Sequence, residues 1–265
     1  MTPPPLRALV RRPSPRLAEG LVTHLNRVPV DLERAVRQWE DYVAVLAKAG
    51  WRPIEVPPAD DCPDGVFVED TMVVFRDVAT IARPAAPSRR PETADAEAAV
   101  AGAGYRIRHL TEPATLDGGD VLKVGSTVYV GLTERTNAAA AEQLAAIVAP
   151  LGGTVVPVPT TKVLHLKSAV TALPDGRVIG FPPLVDDPTA FAGFLPVDEE
   201  AGSHVVLLGP DEHGAERLLM AASAPRTAAR FTELGHRPVI VDISEFEKLE
   251  GCVTCLSVRL RGPAG

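Results

Sequence analysis

The stretch DGGDVLKVGSTVYVGLTERTNAAAAEQLAAIVAPLGGTVVPVPTT, Asp117 to Thr161, decides the fold. Val121 to Val124 reads as a strand, Gly125-Ser126 as a tight turn and Thr127 to Gly131 as a returning strand. Thr136 to Ala149 is an Ala-rich helix, and Thr154 to Val158 is a third strand. The order is strand, strand, helix, strand. It recurs over Val66 to Ile107. There Val66 to Phe75 and Val78 to Ala82 flank the Arg76-Asp77 turn, a helix occupies Pro91 to Gly102, and Tyr105 to Leu110 closes the unit. From His165 it recurs again, with Ala169 to Leu173, the Pro174-Asp175-Gly176 turn, Arg177 to Phe181 and a weakly signalled helix at Thr189 to Leu195.

Phe67, Asp117, His165 and, two periods on, Cys255 hold comparable places, so the period is about 50 residues and the chain has room for five units. The strand Leu6 to Arg11 and the helix Leu32 to Ala49 form only the second half of a unit, and the strands after Gly251 only the first half. The two ends therefore meet and close a ring. The expected fold is an α/β propeller of ββαβ modules with pseudo-five-fold symmetry, a single domain over residues 1–265, with the strand starts of all units around a central cavity.

Composition narrows the function. Among 265 residues, 46% are hydrophobic and 23% charged, the balance of an ordinary globular chain. Twenty-seven Lys and Arg against 34 Asp and Glu give a net charge of -7, which argues against nucleic acid as a partner, because phosphate-backbone binding needs a basic surface. Three cysteines make no disulfide framework, no apolar run is long enough for a membrane span, and Met1 to Arg16 lacks the apolar core of a signal peptide. The expectation is a cytoplasmic protein with no membrane partner, its state as monomer or homodimer left open.

Four clusters carry chemistry. In Asp64-Gly65-Val66-Phe67-Val68-Glu69-Asp70, alternation on a strand sends the last two acids to opposite sides, one into the cavity and one back to brace a neighbour. In Leu116-Asp117-Gly118-Gly119-Asp120, two glycines between acids bring a carboxylate close to a ligand, without the spacing of a phosphate-binding loop. His165, in Leu164-His165-Leu166-Lys167, titrates near neutrality and suits proton transfer. Cys252 and Cys255, in Glu250-Gly251-Cys252-Val253-Thr254-Cys255-Leu256-Ser257, have Cys-x-x-Cys spacing. No second pair points to zinc and no helix start follows as in a thioredoxin-like motif. On a strand from Cys252 to Leu260 the two thiols face opposite sides, leaving Cys255 toward the cavity as the candidate nucleophile. Arginines near Arg83 to Arg90 and at Arg135 lie at strand-ending loops, where a guanidinium can fork a carboxylate. No His-x-x-x-His pair or carboxylate-rich loop suggests a metal.

Taken in order, Phe67-Val68-Glu69-Asp70, Arg83-Pro84 to Arg90, Leu116 to Val121, Gly131 to Asn137, Leu164 to Lys167 and Glu250 to Ser257 resemble the dimethylarginine dimethylaminohydrolase family, over about Asp64 to Leu260. The resemblance implies hydrolysis of an Nω-methylated arginine to citrulline and a methylamine, without cofactor or metal. By motif it makes Cys255 the nucleophile, His165 the general acid and base, and Asp117 the orienting carboxylate. Asp64, Glu69 and Asp70 fall on substrate-contacting acids, and Arg89 and Arg135 on the pair that holds the substrate α-carboxylate. Leu21 falls in a lid loop, and Leu249 where a backbone carbonyl meets the α-amino group. Arg83-Pro84-Ala85 departs from the family's common Arg-Pro-Gly, and Asp117 is Glu in some members. Two other readings remain: an arginine or agmatine deiminase of the same superfamily, and a propeller that binds an amino acid without turning it over. The first is disfavoured because arginine deiminases carry an added helical domain.

Overall fold

In the computed structural model, which describes residues 6–262, the chain forms five sheets of three strands each. It enters on β1 (Arg7–Val10), α1 (Leu32–Lys48) and β2 (Arg52–Glu55). The first complete unit is β3 (Met72–Phe75), β4 (Val78–Ile81), α2 (Glu92–Gly102) and β5 (Arg106–His109). The second is β6 (Val121–Val124), β7 (Thr127–Leu132), α3 (Ala138–Val148) and β8 (Thr154–Pro159). Then come β9 (Val170–Ala172), β10 (Val178–Gly180) and β11 (Leu195–Pro196), and after them β12 (Val206–Pro210), β13 (Glu216–Ala221), α4 (Pro225–Glu233) and β14 (Arg237–Val241). The short α5 (Ser244–Glu247) leads to the last strand, β15 (Val258–Leu260).

In each sheet the first strand runs antiparallel to the second and the second parallel to the third. A helix is the natural crossover between parallel neighbours. The fifth sheet is ordered β15-β1-β2, with Leu9 opposite Val258, so the two ends of the chain complete one module together. This is the pseudo-five-fold α/β propeller.

Five apolar clusters weld the ring, each seated between neighbouring sheets. Val73 and Phe75 of one sheet meet Val121 and Val130 of the next beneath Leu144 of α3, while Val206 and Leu219 meet Ala8 and Val10 beneath Trp39 of α1. No cluster belongs to one module alone, so burial rewards closure of the whole circle. Helix starts follow their caps. Asp31 accepts from the Arg34 N–H, and Asn137 from Ala140, which starts α3 two residues later than the Ala pattern predicts.

Three expectations are corrected. The helix at Thr189 to Leu195 is absent. A single 3-10 turn at Pro188–Ala190 opens the segment, but Gly193 at φ +67° breaks any helical course and Pro196 disfavours helix in the residue before it. Phe191 fills the helix's place by packing on Tyr129, ring centroids 5.1 Å apart. Val66 to Thr71 is not strand either; Val68–Thr71 is a 3-10 turn before β3. Nor does a strand begin at Cys252, since Cys252 to Ser257 is turn and only Val258–Leu260 pairs. The same device precedes β6 at Gly118–Asp120 and β9 at Leu166–Ser168.

These turns pack tightly at the axis. A Cβ on Gly118 would lie 2.1 Å from the Glu69 carbonyl oxygen, a backbone atom that cannot step aside, whereas one on Gly102 would meet nothing within 4 Å. Gly118→Ala is therefore expected to cost about 1–3 kcal/mol or more. Gly102→Ala, at the end of α2, is expected to be neutral or to gain up to about 1 kcal/mol. Urea midpoints of the two variants check this, and equal midpoints would refute it.

Candidate active site

The turns that open the modules deliver acids, an imidazole and a thiol to one place. Asp117 is fully buried, and its Oδ2 lies 3.1 Å from Nε2 of His165. Asp70 Oδ1 accepts from the Gly119 N–H at 2.8 Å and lies 3.9 Å from Nδ1 of the same imidazole. His165 is thus held between two carboxylates. Burial alone would push its pKa down, but Asp70, Asp120 and Asp117 outweigh burial and raise it to about 9. Asp70 shows the converse: burial pushes upward, yet His165 and Arg89 hold it at about 2. Gly119 has no room for a side chain, because a Cβ there would sit 2.6 Å from His165 Nδ1.

Cys255 reaches this cluster through the 3-10 turn before β3. Its carbonyl accepts from the Glu69 N–H at 3.2 Å, and its buried thiol lies in the field of Glu69 and Asp70. The expectation that Cys252 and Cys255 face opposite sides fails. Their sulfurs are 3.4 Å apart, because a turn closed by Cys255 N–H to the Cys252 carbonyl replaces the expected strand. The hydrogen bond with Cys252 comes first, then burial, then Cys252, Glu69 and Asp70 as charges, and together they hold the Cys255 thiol well above its ordinary range. The cysteines are free, Cys62 included.

The two neighbouring acids diverge as expected, though a turn and not strand alternation separates them. Glu69 leaves the imidazole: Oε1 pairs with Lys167 at 2.6 Å and Arg259 at 2.8 Å, and Oε2 accepts from Thr254. It therefore braces the Cys255 turn. Asp64 is buried and accepts from the Leu21 N–H at 3.0 Å; burial raises its pKa against the pull of Arg89. Gly20, next to Leu21, faces both Asp64 and Leu249, since a Cβ there would sit 2.9 Å from Asp64 Oδ1 and 3.6 Å from Leu249 Cδ1. The Leu21 loop is pinned further along, where Thr23, His24 and Leu25 all donate backbone N–H groups to one oxygen of Glu250.

The two arginines part company. Arg89 is buried and committed, with Nη1 donating to Asp70 at 2.7 Å and Nη2 and Nε to Glu92. It stands as a strut behind Asp70 and not as the free carboxylate fork expected of it. Arg135, 3.8 Å from Asp117, keeps its guanidinium outside any close pair. Sequence reading gave no part to Asp120, which ties three segments together: Oδ2 accepts from Thr133 and Thr136, and Oδ1 from the Leu166 N–H. Glu92 and Lys167 were missed too, because a charge on a helix or turn shows its partner only once the ring has closed.

Among the described residues, Asp70, Asp117 and His165 form the one group whose ligand atoms lie within 4.8 Å of one another. The donors suit a proton or a guanidinium better than a metal ion: Asp70 is spent on Arg89 and Gly119, and His165 on Asp117. One buried carboxylate oxygen is unspent. Asp117 Oδ1 is buried without a hydrogen-bond partner. Leaving such an acceptor empty costs free energy, and the N–H of a planar cation would satisfy it.

The fold and this acid-lined cysteine and histidine site define a guanidine-modifying hydrolase of the α/β-propeller class. The family model described as arginine deiminase matches residues 49–200. The N(G),N(G)-dimethylarginine dimethylaminohydrolase of Streptomyces coelicolor is 65% identical over 97% of this chain and 98% of its own. The Pseudomonas aeruginosa protein of the same name is 33% identical over 95% and 98%. A cysteine-to-serine mutant of the latter enzyme, complexed with citrulline, superposes with a TM-score of 0.87 at 31% identity, covering 96% of this chain and 98% of that one. The chain belongs to the dimethylarginine dimethylaminohydrolase family.

The thiol pair is testable in the free protein. Removing Cys252 removes the first cause of the high Cys255 pKa, so in Cys252→Ala the alkylation of Cys255 by neutral iodoacetamide is expected to gain its thiolate-dependent rate at lower pH than in wild type. Mass spectrometry across a pH series locates the adduct, and coincident profiles would refute the coupling.

Proposed function

We propose that this protein hydrolyses Nω,Nω-dimethyl-L-arginine, and Nω-monomethyl-L-arginine, to L-citrulline and dimethylamine or methylamine, with Cys255, His165 and Asp117 carrying the reaction. The observation that bears most weight is the unpaired Asp117 Oδ1, on a carboxylate whose other oxygen lies 3.1 Å from His165 and 3.8 Å from Arg135. A guanidinium is a resonance-stabilised cation, so a neutral thiol will not attack it, and the site must first hold it flat. Asp117 and Asp70 accept its N–H groups and set the central carbon over Cys255. The bound cation then offsets the acids that keep Cys255 protonated, and the thiolate forms when substrate is in place.

Attack on the planar carbon forms a C–S bond. Collapse expels dimethylamine, which cannot leave as an anion; His165, protonated up to about pH 9, donates the proton. The resulting S-alkylthiouronium is hydrolysed by a water that His165, now neutral, deprotonates, and the thiol returns with citrulline. Asp120 raises the histidine pKa and fixes the backbone after it.

At the far end of the substrate, Arg135 takes the α-carboxylate, while Asp64 and the Leu249 carbonyl take the α-amino group beneath the Leu21 loop. Arg89 serves by holding Asp70. No cofactor enters this scheme. A reduced thiol suits the cytoplasm, where we place the protein; among the described residues no helix is long and apolar enough to cross a membrane.

Citrulline formation from asymmetric dimethylarginine is expected from wild type. Cys255→Ser is expected to lose it by at least about a thousandfold, as nucleophile replacement commonly does. Asp117→Asn is expected to lower kcat and kcat/KM together. Turnover of arginine with release of ammonia, and none of dimethylarginine, would overturn the substrate; activity surviving in Cys255→Ser would overturn the nucleophile.

A further inference from the structure

A large cavity lies on the ring axis beyond the site, along the innermost strands. It has a volume of about 560 Å³ and runs from Glu69, Gly118, Lys167 and Thr254 at the strand starts to Arg76 and Arg261 past their ends. In a chain of net charge -7, five cationic side chains face it, Arg76, Lys123, Lys167, Arg259 and Arg261, against one carboxylate, Glu69. Lys167 and Arg259 are neutralised by Glu69. The other three have no carboxylate within 4 Å among the described residues: Lys123 donates to the Val74 carbonyl, Arg261 to the Leu207 carbonyl over the Trp51 ring, and Arg76 lies over the Phe75 ring.

From this geometry we infer that the axial cavity is a binding site for a phosphate-class oxyanion bearing at least two charges, held by Lys123, Arg261 and Arg76. Like charges gathered around one cavity repel one another, and a bound polyanion relieves that repulsion. Lys123 records the strain. The protein packed around its stem, followed by the charges of Lys167 and Arg259, lowers its pKa to about 7, while the side chain stays open to the cavity. An oxyanion would favour the ammonium form and raise that value, so binding near pH 7 takes up protons. The carboxylate and imidazole cluster lies ahead of the strand starts, on the other side of the Glu69, Lys167 and Arg259 partition, so this ligand and the guanidine substrate do not compete for side chains.

The test is calorimetric titration of the full chain with inorganic pyrophosphate at fixed ionic strength, in two buffers of different ionisation enthalpy. Saturable binding with proton uptake of up to about half a proton near pH 7 is expected. The doubly substituted Lys123→Met, Arg261→Gln protein is expected to bind at least about tenfold more weakly and lose the uptake, while retaining citrulline formation. Arg135→Gln is expected to leave pyrophosphate binding unchanged, and loss there would move the anion to the substrate site and overturn the inference. Heat matched by potassium chloride, or equal binding by the double variant, would also overturn it. Displacement of pyrophosphate by ADP would make a nucleotide's polyphosphate the ligand; no displacement would leave a free inorganic oxyanion.

Discussion

Burying several carboxylates around one imidazole is the constraint on which the rest of this structure depends. Asp70, Asp117 and Asp120 are almost wholly removed from water, and unpaired buried anions are among the most expensive things a fold can contain. Each is answered from a different part of the chain. Arg89 answers Asp70, His165 answers Asp117, and two threonine hydroxyls and a backbone N–H answer Asp120. Arg89 in turn needs Glu92 at the head of α2. The network is satisfied only when the modules stand side by side, so polar pairing at the axis and apolar packing between sheets select the same closed ring.

The ring also explains why the reactive groups sit on turns. A strand alternates its side chains and would spread Glu69, Asp70, Cys252 and Cys255 over two faces. A 3-10 turn before the innermost strand points consecutive residues around the axis instead. Asp70 can then meet His165 while Glu69 crosses to Lys167 and Arg259. Gly118 and Gly119 are required by this crowding and not by any positive φ: backbone and imidazole come within what a methyl group would occupy.

Much of this was legible in the sequence because the module order is carried by local signals: β-branched runs, Gly-Ser and Asp-Gly turns, Ala-rich helices and a period of about 50 residues. Those signals gave the half-units at the two ends, and β15 pairs with β1 accordingly. The positions Asp117, His165 and Cys255 followed from the same period. Local signals could not reveal partners. Periodicity around Cys252 favoured a strand, yet the segment turns, because Gly251 must fit against Phe67 and the Phe246 carbonyl. Arg89 carries the same charge whether it grips a ligand or Asp70, and only the folded neighbour distinguishes the two. The missing fourth helix follows from Gly193 and Pro196, whose effect was visible in the sequence but outweighed by the expectation of symmetry.

The acids that attract a guanidinium are the same acids that repel a thiolate. Glu69 and Asp70 add to burial and to the hydrogen bond with Cys252 in keeping the proton on Cys255. In the proposed reaction, the charge of a guanidinium held by Asp117 offsets that of the acids around the thiol. Ionisation is thereby tied to occupancy, and a neutral electrophile that enters alone gains no such help. Selectivity for a planar cation then resides in the electrostatics that set the thiol, as well as in the shape of the pocket.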